Sequence, residues 1–271
     1  MQNVFVSGSF DDLKSRHLRF LEEAAKLGPL HVSLWPDDVV TKLQGRPPKF
    51  PLAERRYVVE SIRFVQEVRV ADTLATAHEV TWPEPMSSGA WVVEAAGDHP
   101  EKRAFAQRHG LAYQVLKEEA LAGFPVIPAT PSSPQRKKVI VTGCYDWFHS
   151  GHVRFFEEVS QLGDLYVVAG HDANVRLLKG EGHPLFPEDE RRYISGCIRF
   201  VTQALISTGN GWLDAEPEIL RIKPDIYAVN EDGDKPEKRN YCQQHGIEYA
   251  VLKRTPKEGL TGRNSTNLRG F

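Results

Sequence analysis

Two histidines, His149 and His152, stand three residues apart in TGCYDWFHSGHVRFFEE, residues 142–158. Imidazoles at that spacing face one side of a helix's first turn. There they meet the positive end of the helix dipole and N–H groups with no partner inside the helix. Such a place suits a phosphate chain. Two rings add donors to a phosphorus centre whose negative charge spreads during transfer. Gly143 closes the preceding apolar run and permits a tight turn, and Gly151 leaves room for a ligand near the backbone. No cysteine or acid has helical spacing to the histidine pair, so no metal ligand is assigned.

The elements that must hold these residues follow from pattern. KVIVTG (138–143) is a β-branched apolar run, a buried strand. From His152, apolar residues fall at 153, 155, 156, 159 and 162, a helical stripe closed by Gly163. LYVVAG (165–170), DIYAVN (225–230) and EYAVLKR (248–254) are further strands. PEDERRYISGCIRF (187–200) starts with proline and acids and ends basic, as a helix does. PEKRNYCQQHG lies between the last two strands as another helix. Strands alternating with helices imply an α/β fold, a parallel sheet with helices on both faces. Ligands of such sheets bind beyond the carboxyl ends of the strands, where His149 and His152 fall.

The chain contains this unit twice. Residues 4–28 lie over 139–163 with 12 identities in 25 positions. Further on, ERRYVVESIRFV (54–65) repeats as ERRYISGCIRFV (190–201), and residues 97–117 repeat as 233–253. The period is far too long for a solenoid. A proline- and serine-rich stretch separates the copies. The expected division is a first domain at 1–125, a linker at 126–137 and a second domain at 138–271, each domain Rossmann-like.

Bulk properties fit a soluble protein. The 271 residues carry a net charge of −2, with 41% hydrophobic and 26% charged residues. No basic field suggests a nucleic-acid partner. Three cysteines without metal spacing, no leader pattern and no long apolar run point to the cytoplasm and to no membrane span.

HxGH after a strand, in the form GCYDxxHxGH, resembles the cytidylyltransferases that activate phospho-alcohols, within a nucleotidyltransferase superfamily that also holds adenylyltransferases. The resemblance covers the whole second copy. It implies that His149 and His152 bind phosphates and stabilise the transition state, and that Lys179 in LLKGEG bridges substrate and nucleotide. It places Gly143, Cys144, Tyr145 and Gly151 along the nucleotide, although Cys144 equally suits buried packing. RTPKEGLTGRNST (254–266) is similar to the family's second signature, which makes Arg254, Thr255, Arg263, Ser265 and Thr266 phosphate ligands. Asp172, Asn230 and Asp232 fall on the substrate side, and NEDGD (230–234) departs from the family's GDD-like turn. Arg191, Arg192 and Arg199 recur in the first copy, so helix-terminus or interface roles suit them as well as phosphate binding. Asp146 recurs as Asp11 and reads as structural.

The implied reaction transfers CMP from CTP to a phospho-alcohol or a phosphonate, with Mg²⁺ carried on the nucleotide and pyrophosphate leaving. An adenylyltransferase using ATP is the alternative, and a non-catalytic nucleotide sensor is a third reading. A tandem chain with one degraded half resembles the ethanolamine-phosphate cytidylyltransferases. In those the intact motif lies in the first half, and here it lies in the second. The first copy has Lys14, Arg16 and His17 where the second has His149, Gly151 and His152, and Gln44 where the second has Lys179. It is expected to be non-catalytic, either as the inner half of a pseudo-dimer or as an anion-binding regulator through Lys14, Arg16 and His17. A homodimer of the whole chain is also open.

Overall fold

The computed structural model of the chain describes residues 2–71, 74–82 and 88–263. It divides into two compact units, Met1–Gly123 and Phe124–Phe271. The first contains β1 (Val4–Gly8), α1 (Ser15–Ala25), β2 (Leu30–Leu34), α2 (Asp37–Gln44), α3 (Leu52–Glu60), β3 (Val65–Val70), β4 (Ala90–Glu94), α4 (Pro100–Arg108) and β5 (Ala112–Leu116). The second contains β6 (Lys138–Gly143), α5 (Ser150–Ser160), β7 (Asp164–Ala169), α6 (Asp172–Lys179), α7 (Glu188–Gly196), β8 (Val201–Ile206), α8 (Glu216–Ile222), β9 (Ile226–Asn230), α9 (Pro236–His245) and β10 (Glu248–Leu252).

Both sheets have five parallel strands flanked by helices, in the same order. It is β3-β2-β1-β4-β5 in the first and β8-β7-β6-β9-β10 in the second. The order reverses at β1 and at β6, the switch point where a crevice forms. In the second unit that crevice is visible in the register. β6 pairs with β7 along its whole length but with β9 only at Val139 and Ile140. The carboxyl ends of β6 and β9 therefore diverge, and a Thr142 Oγ1···Tyr227 Oη hydrogen bond of 2.6 Å crosses near the opening.

Each element follows from its residues. β6 buries Val139, Ile140 and Val141 completely, as a central strand covered on both faces must. α5 buries Val153, Phe155, Phe156 and Val159 on one face. α7 starts after Pro187 with Glu188, Asp189 and Glu190 in its first turn, and it ends at Gly196, four residues before the run expected from its pattern. β8 and the short helices α6 and α8 had no expectation attached to them.

The stretch expected as a linker is packed onto the second unit instead. Thr130 N–H donates to Thr202 at 2.9 Å and Ser133 N–H to Asp164 at 3.1 Å. Ile127 is buried, against the face of Gly196. Arg192 Nη2 donates to the Phe124 carbonyl at 3.0 Å, which gives that arginine a structural partner. Among the described residues no helix is long and apolar enough to cross a membrane.

Candidate active site

The loop between β6 and α5 is held by one buried carboxylate. Asp146 accepts from Leu185 N–H at 2.6 Å and Phe186 N–H at 3.0 Å, and its other oxygen meets His183 at 3.3 Å. Its structural reading stands on these bonds. Arg191 braces the same loop from α7. It donates to the Phe186 carbonyl, the Cys144 carbonyl and Asp172 Oδ1 at 2.9, 2.7 and 2.6 Å, and it is fully buried. A guanidinium so engaged is scaffold and not a phosphate ligand. Asp172 is thereby tied to Arg191 and does not line the cavities at the switch point.

Between strand and helix the chain turns at Tyr145, whose φ of +52° is left-handed. The turn was expected at Gly143. That glycine instead makes space for the tyrosine, since a Cβ there would lie 2.9 Å from the Tyr145 ring. Tyr145 packs edge-on against His152 and Phe156, at 5.6 and 5.3 Å between centroids.

The two histidines cap α5 reciprocally. His149 is the N-cap, and its Nδ1 accepts from Gly151 N–H at 3.0 Å. His152 Nδ1 accepts from His149 N–H at 3.4 Å. The N–H groups of His152 and Val153 both reach the His149 carbonyl. The first turn was expected to offer its N–H groups to phosphate, yet these three are satisfied within the cap. What the cap offers instead is a pair of rings, 4.0 Å apart. A nitrogen that accepts an N–H bond carries no proton, so each neutral ring is protonated at Nε2. Gly151 serves the ring rather than an incoming ligand. A Cβ there would stand 2.8 Å from His149 and 3.0 Å from the Arg263 carbonyl.

Burial, with Arg254 and Arg263 adding like charge, pushes His149 down to about 3. His152 is driven well below its ordinary value, first by burial and then by His149, Arg254 and Lys179. Both rings are therefore neutral Nε2–H donors near neutral pH.

Two adjoining cavities open at this place, of about 310 and 270 Å³, and Phe155, Asn230 and Arg254 line both. The larger also touches Gly143, Cys144, Tyr145, His152, Lys179 and Asp232. The smaller lies between Gly151 and the segment holding Thr255 and Arg263. Arg254 Nη1 donates to Asp232 Oδ2 at 2.6 Å, an exposed pair that a phosphate can displace. Lys257 ties the segment to Glu157 of α5 at 2.5 Å. The cavities thus bring together His152, Lys179, Gly143, Cys144, Tyr145, Gly151, Arg254, Thr255, Arg263, Asn230 and Asp232; His149 lies behind them as the buried N-cap, its ring against His152, and Asp172 is left out. Ser265 and Thr266 lie outside the described residues.

Sequence reasoning passed over Trp147, Phe155 and Lys238, which also line the larger cavity. Trp147 lies inside the motif, at a position for which no role was read. Lys238 is signalled as scaffold by the repeated PEKR: its Nζ reaches the Gly233 carbonyl at 3.4 Å, as Lys102 reaches Gly97 at 2.7 Å.

The first unit's equivalent place is filled. Arg16, at the position of Gly151, donates through Nε to Glu94 at 2.9 Å and through both terminal nitrogens to Glu118 at 2.6 and 2.7 Å. Lys14 pairs with Asp12 at 3.0 Å. His17 accepts a capping bond from Lys14 N–H at 2.9 Å. Lys14 and Arg16, the cations expected to hold an anion there, are engaged in internal ion pairs with Asp12, Glu94 and Glu118. Among the described residues, the group of metal-ligating types with atoms within 4.8 Å of one another is His78, His99 and Glu101, in the first unit.

A crevice at the switch point, two neutral imidazoles and a flanking arginine segment form a place on a Rossmann-like unit that suits a phosphate chain. The cytidylyltransferase-like family model matches residues 140–254. FAD synthase of Ferroglobus placidus is 35% identical over 125 residues, which is 45% of this chain and 78% of that protein. FAD synthase of Thermococcus kodakarensis is 34% identical over 124 residues, 44% of this chain and 81% of that protein. The bifunctional protein HldE of Campylobacter concisus is 37% identical over 103 residues, 37% of this chain and 21% of that much longer protein. The chain belongs to the cytidylyltransferase-like family of nucleotidyltransferases and is an enzyme of that class.

Proposed function

We propose that the second unit transfers a nucleoside monophosphate from a nucleoside triphosphate to the phosphate of a small acceptor. An acceptor oxygen attacks the α-phosphorus. A P–O bond forms to the acceptor, the bond to the bridging oxygen breaks, and pyrophosphate leaves with that electron pair. The nucleophile is already an anion, so no covalent enzyme intermediate is required. Catalysis is positioning and charge stabilisation. The observation that carries this reading is the capping pair, two neutral rings 4.0 Å apart, with His152 lining the larger cavity beside Lys179 and Arg254.

In this reading His149 and His152 donate to the phosphate oxygens as charge develops. Lys179, exposed at the end of α6, spans acceptor and nucleotide. Arg254, Thr255 and Arg263 hold the leaving phosphates, joined by Ser265 and Thr266. Asn230 and Asp232 face the base or the acceptor. Lys179, Lys238, Arg254 and Arg263 line the cavities with one exposed carboxylate, Asp232, which suits Mg²⁺ bound mainly by phosphates and water. The ion would neutralise phosphate charge.

The nucleotide is CTP or ATP. The family model supports CTP, and likeness to FAD synthases supports ATP about equally. The test is pyrophosphate release with Mg²⁺ and either nucleotide. Acceptors would include ethanolamine phosphate, glycerol 3-phosphate, a phosphonate and flavin mononucleotide, each run beside His152→Ala. Release with one pair, lowered about 10²–10³-fold in the variant, is expected. Nucleotide binding without release under any pairing would sink the transferase reading.

A further inference from the structure

The mouth of the second unit's site is apolar where the first unit's is charged. The equivalence of positions is set by shared bonds. Asp146 holds Leu185 N–H and Phe186 N–H as Asp11 holds Lys49 N–H and Phe50 N–H. Leu185 therefore stands where the first unit has Lys49, and Trp147 stands where it has Asp12. On α6, Leu177 takes the place of Lys42 in α2. In the first unit Lys49 and Asp12 form an ion pair at 3.2 Å, with Lys14 on the other oxygen of Asp12. In the second unit the pair is lost, and Trp147 stands 6.1 Å from Phe186 between ring centroids.

One of these apolar groups belongs to the cavity wall and the others lie on the segments that flank it. Trp147 lines it, Asp146 joins it to Leu185, and Leu177 and Leu178 precede Lys179, which lines it too. Leu185 is 50% exposed, Leu178 57% and Leu177 71%. Single exposed leucines need no explanation, but three on the segments that supply Lys179 and the N–H partner of Asp146 bring apolar surface to the same end of the unit.

Resting on the transferase reading above, we infer that this apolar rim selects acceptors carrying an aromatic or otherwise apolar group beyond their phosphate. The phosphate enters toward Lys179 and the histidines. The apolar part lies over Trp147 and Leu185, against the leucines of α6. Continuity with the cavity is what commits the rim to the acceptor. A second copy of the chain is the competing occupant.

The experiment compares 2-phenylethyl phosphate with ethyl phosphate as acceptors in pyrophosphate release, using both CTP and ATP. The ring adds apolar area worth about 10–100-fold in kcat/KM if it is largely covered. Leu177→Lys with Leu185→Lys, which imports the first unit's charges at two exposed positions, is expected to bring that ratio close to one. A folded wild-type enzyme that uses both acceptors equally well overturns the inference and leaves the transferase reading intact. A double variant that slows both acceptors by the same factor also overturns it. Sedimentation of wild type and variant gives the competing outcome, because a dimer that the lysines dissociate assigns the rim to a second copy. Failure of every acceptor with both nucleotides removes the transferase reading, and the inference with it.

Discussion

The two units share their scaffold residue by residue and differ where charge meets the ligand. Arg55 in the first unit donates to the Phe50 carbonyl, the Ser9 carbonyl and Asp37, as Arg191 does to Phe186, Cys144 and Asp172 in the second. Phe10 turns left-handed at φ +45°, as Tyr145 does at +52°. Around the switch point, three substitutions reverse this identity. Gly151, Asn230 and Arg254 of the second unit correspond to Arg16, Glu94 and Glu118 of the first. One set leaves an open place with a cation at its edge. The other closes on itself as an arginine held by two glutamates. The fold alone therefore does not set the site, since the same loop geometry surrounds an open place in one unit and an ion-paired one in the other.

The most severe way to break this comparison is to move the plug. Gly151→Arg places a side chain within 3 Å of the His149 ring, where even a Cβ has no room. Loss of that donor, and of the space beside it, is expected to lower pyrophosphate release by at least about 10²–10³-fold. Arg16→Gly in the first unit is the matching change and is expected to leave the rate alone. A Gly151→Arg enzyme that keeps a tenth of its activity would show that the crowding argument is wrong.

A smaller effect is expected on the shared scaffold, and it should be equal in the two units. Arg191 is fully buried and Arg55 almost so. Arg191→Met and Arg55→Met each leave an aspartate and two carbonyls without their donor. Each is expected to destabilise its own unit by about 3 kcal/mol. Chemical denaturation followed separately in the two units checks this. A loss confined to the second unit would mean that Arg191 belongs to the site after all.

Much of the fold was legible because its signals are local. The alternation of apolar runs and helical stripes gave the main strands, and the repeat gave the second copy of every element. β8 and the short helices α6 and α8 were passed over. α6 has eight residues and α8 seven, too few for a period to stand out. The histidine pair was legible as a pair. Its internal use was not, because which ring nitrogen accepts depends on the cap's backbone geometry. Gly143 was read as freedom for the backbone and Gly151 as room for a ligand, whereas both are space for a neighbouring ring. The plug was hidden for a different reason. Arg16 meets Glu94 and Glu118 across 78 and 102 residues, a distance that only the sheet closes.

Gly143→Ala and Gly8→Ala sharpen the comparison at the level of packing. The added methyl would meet the Tyr145 ring at 2.9 Å in the second unit, but the Phe10 ring at 3.4 Å in the first. Overpacking at the closer site is expected to cost about 1–2 kcal/mol, and the first unit is expected to take the change with little loss. Equal melting shifts in the two units would show that the tyrosine moves aside freely.

The finest distinction is the response to pH. His149 is held at about 3 and His152 well below its ordinary value, both chiefly by burial. In the unfolded chain each titrates at about 6.5, as a solvated histidine does. Below that pH the unfolded state binds protons that the folded state refuses. The stability held by these rings is fully present above about 6.5 and falls as pH drops toward about 3. His17 is lowered by burial as well, so the first unit has the same sign, from one capping histidine instead of two. Its unfolding midpoint should therefore shift less between pH 7 and 4. His149→Asn keeps a capping oxygen and should remove part of the second unit's shift. Turnover gives the sharper reading. Rings already neutral at pH 6 contribute no acid limb near 6.5, so the limb in kcat/KM should follow the acceptor's own second ionisation, near 6 for a phosphate monoester. Acceptors of different acidity should move it. A limb that stays near 6.5 for every acceptor and vanishes in His149→Asn would mean that the rings act as cations, and the pair would have to be read as an acid rather than as two neutral donors.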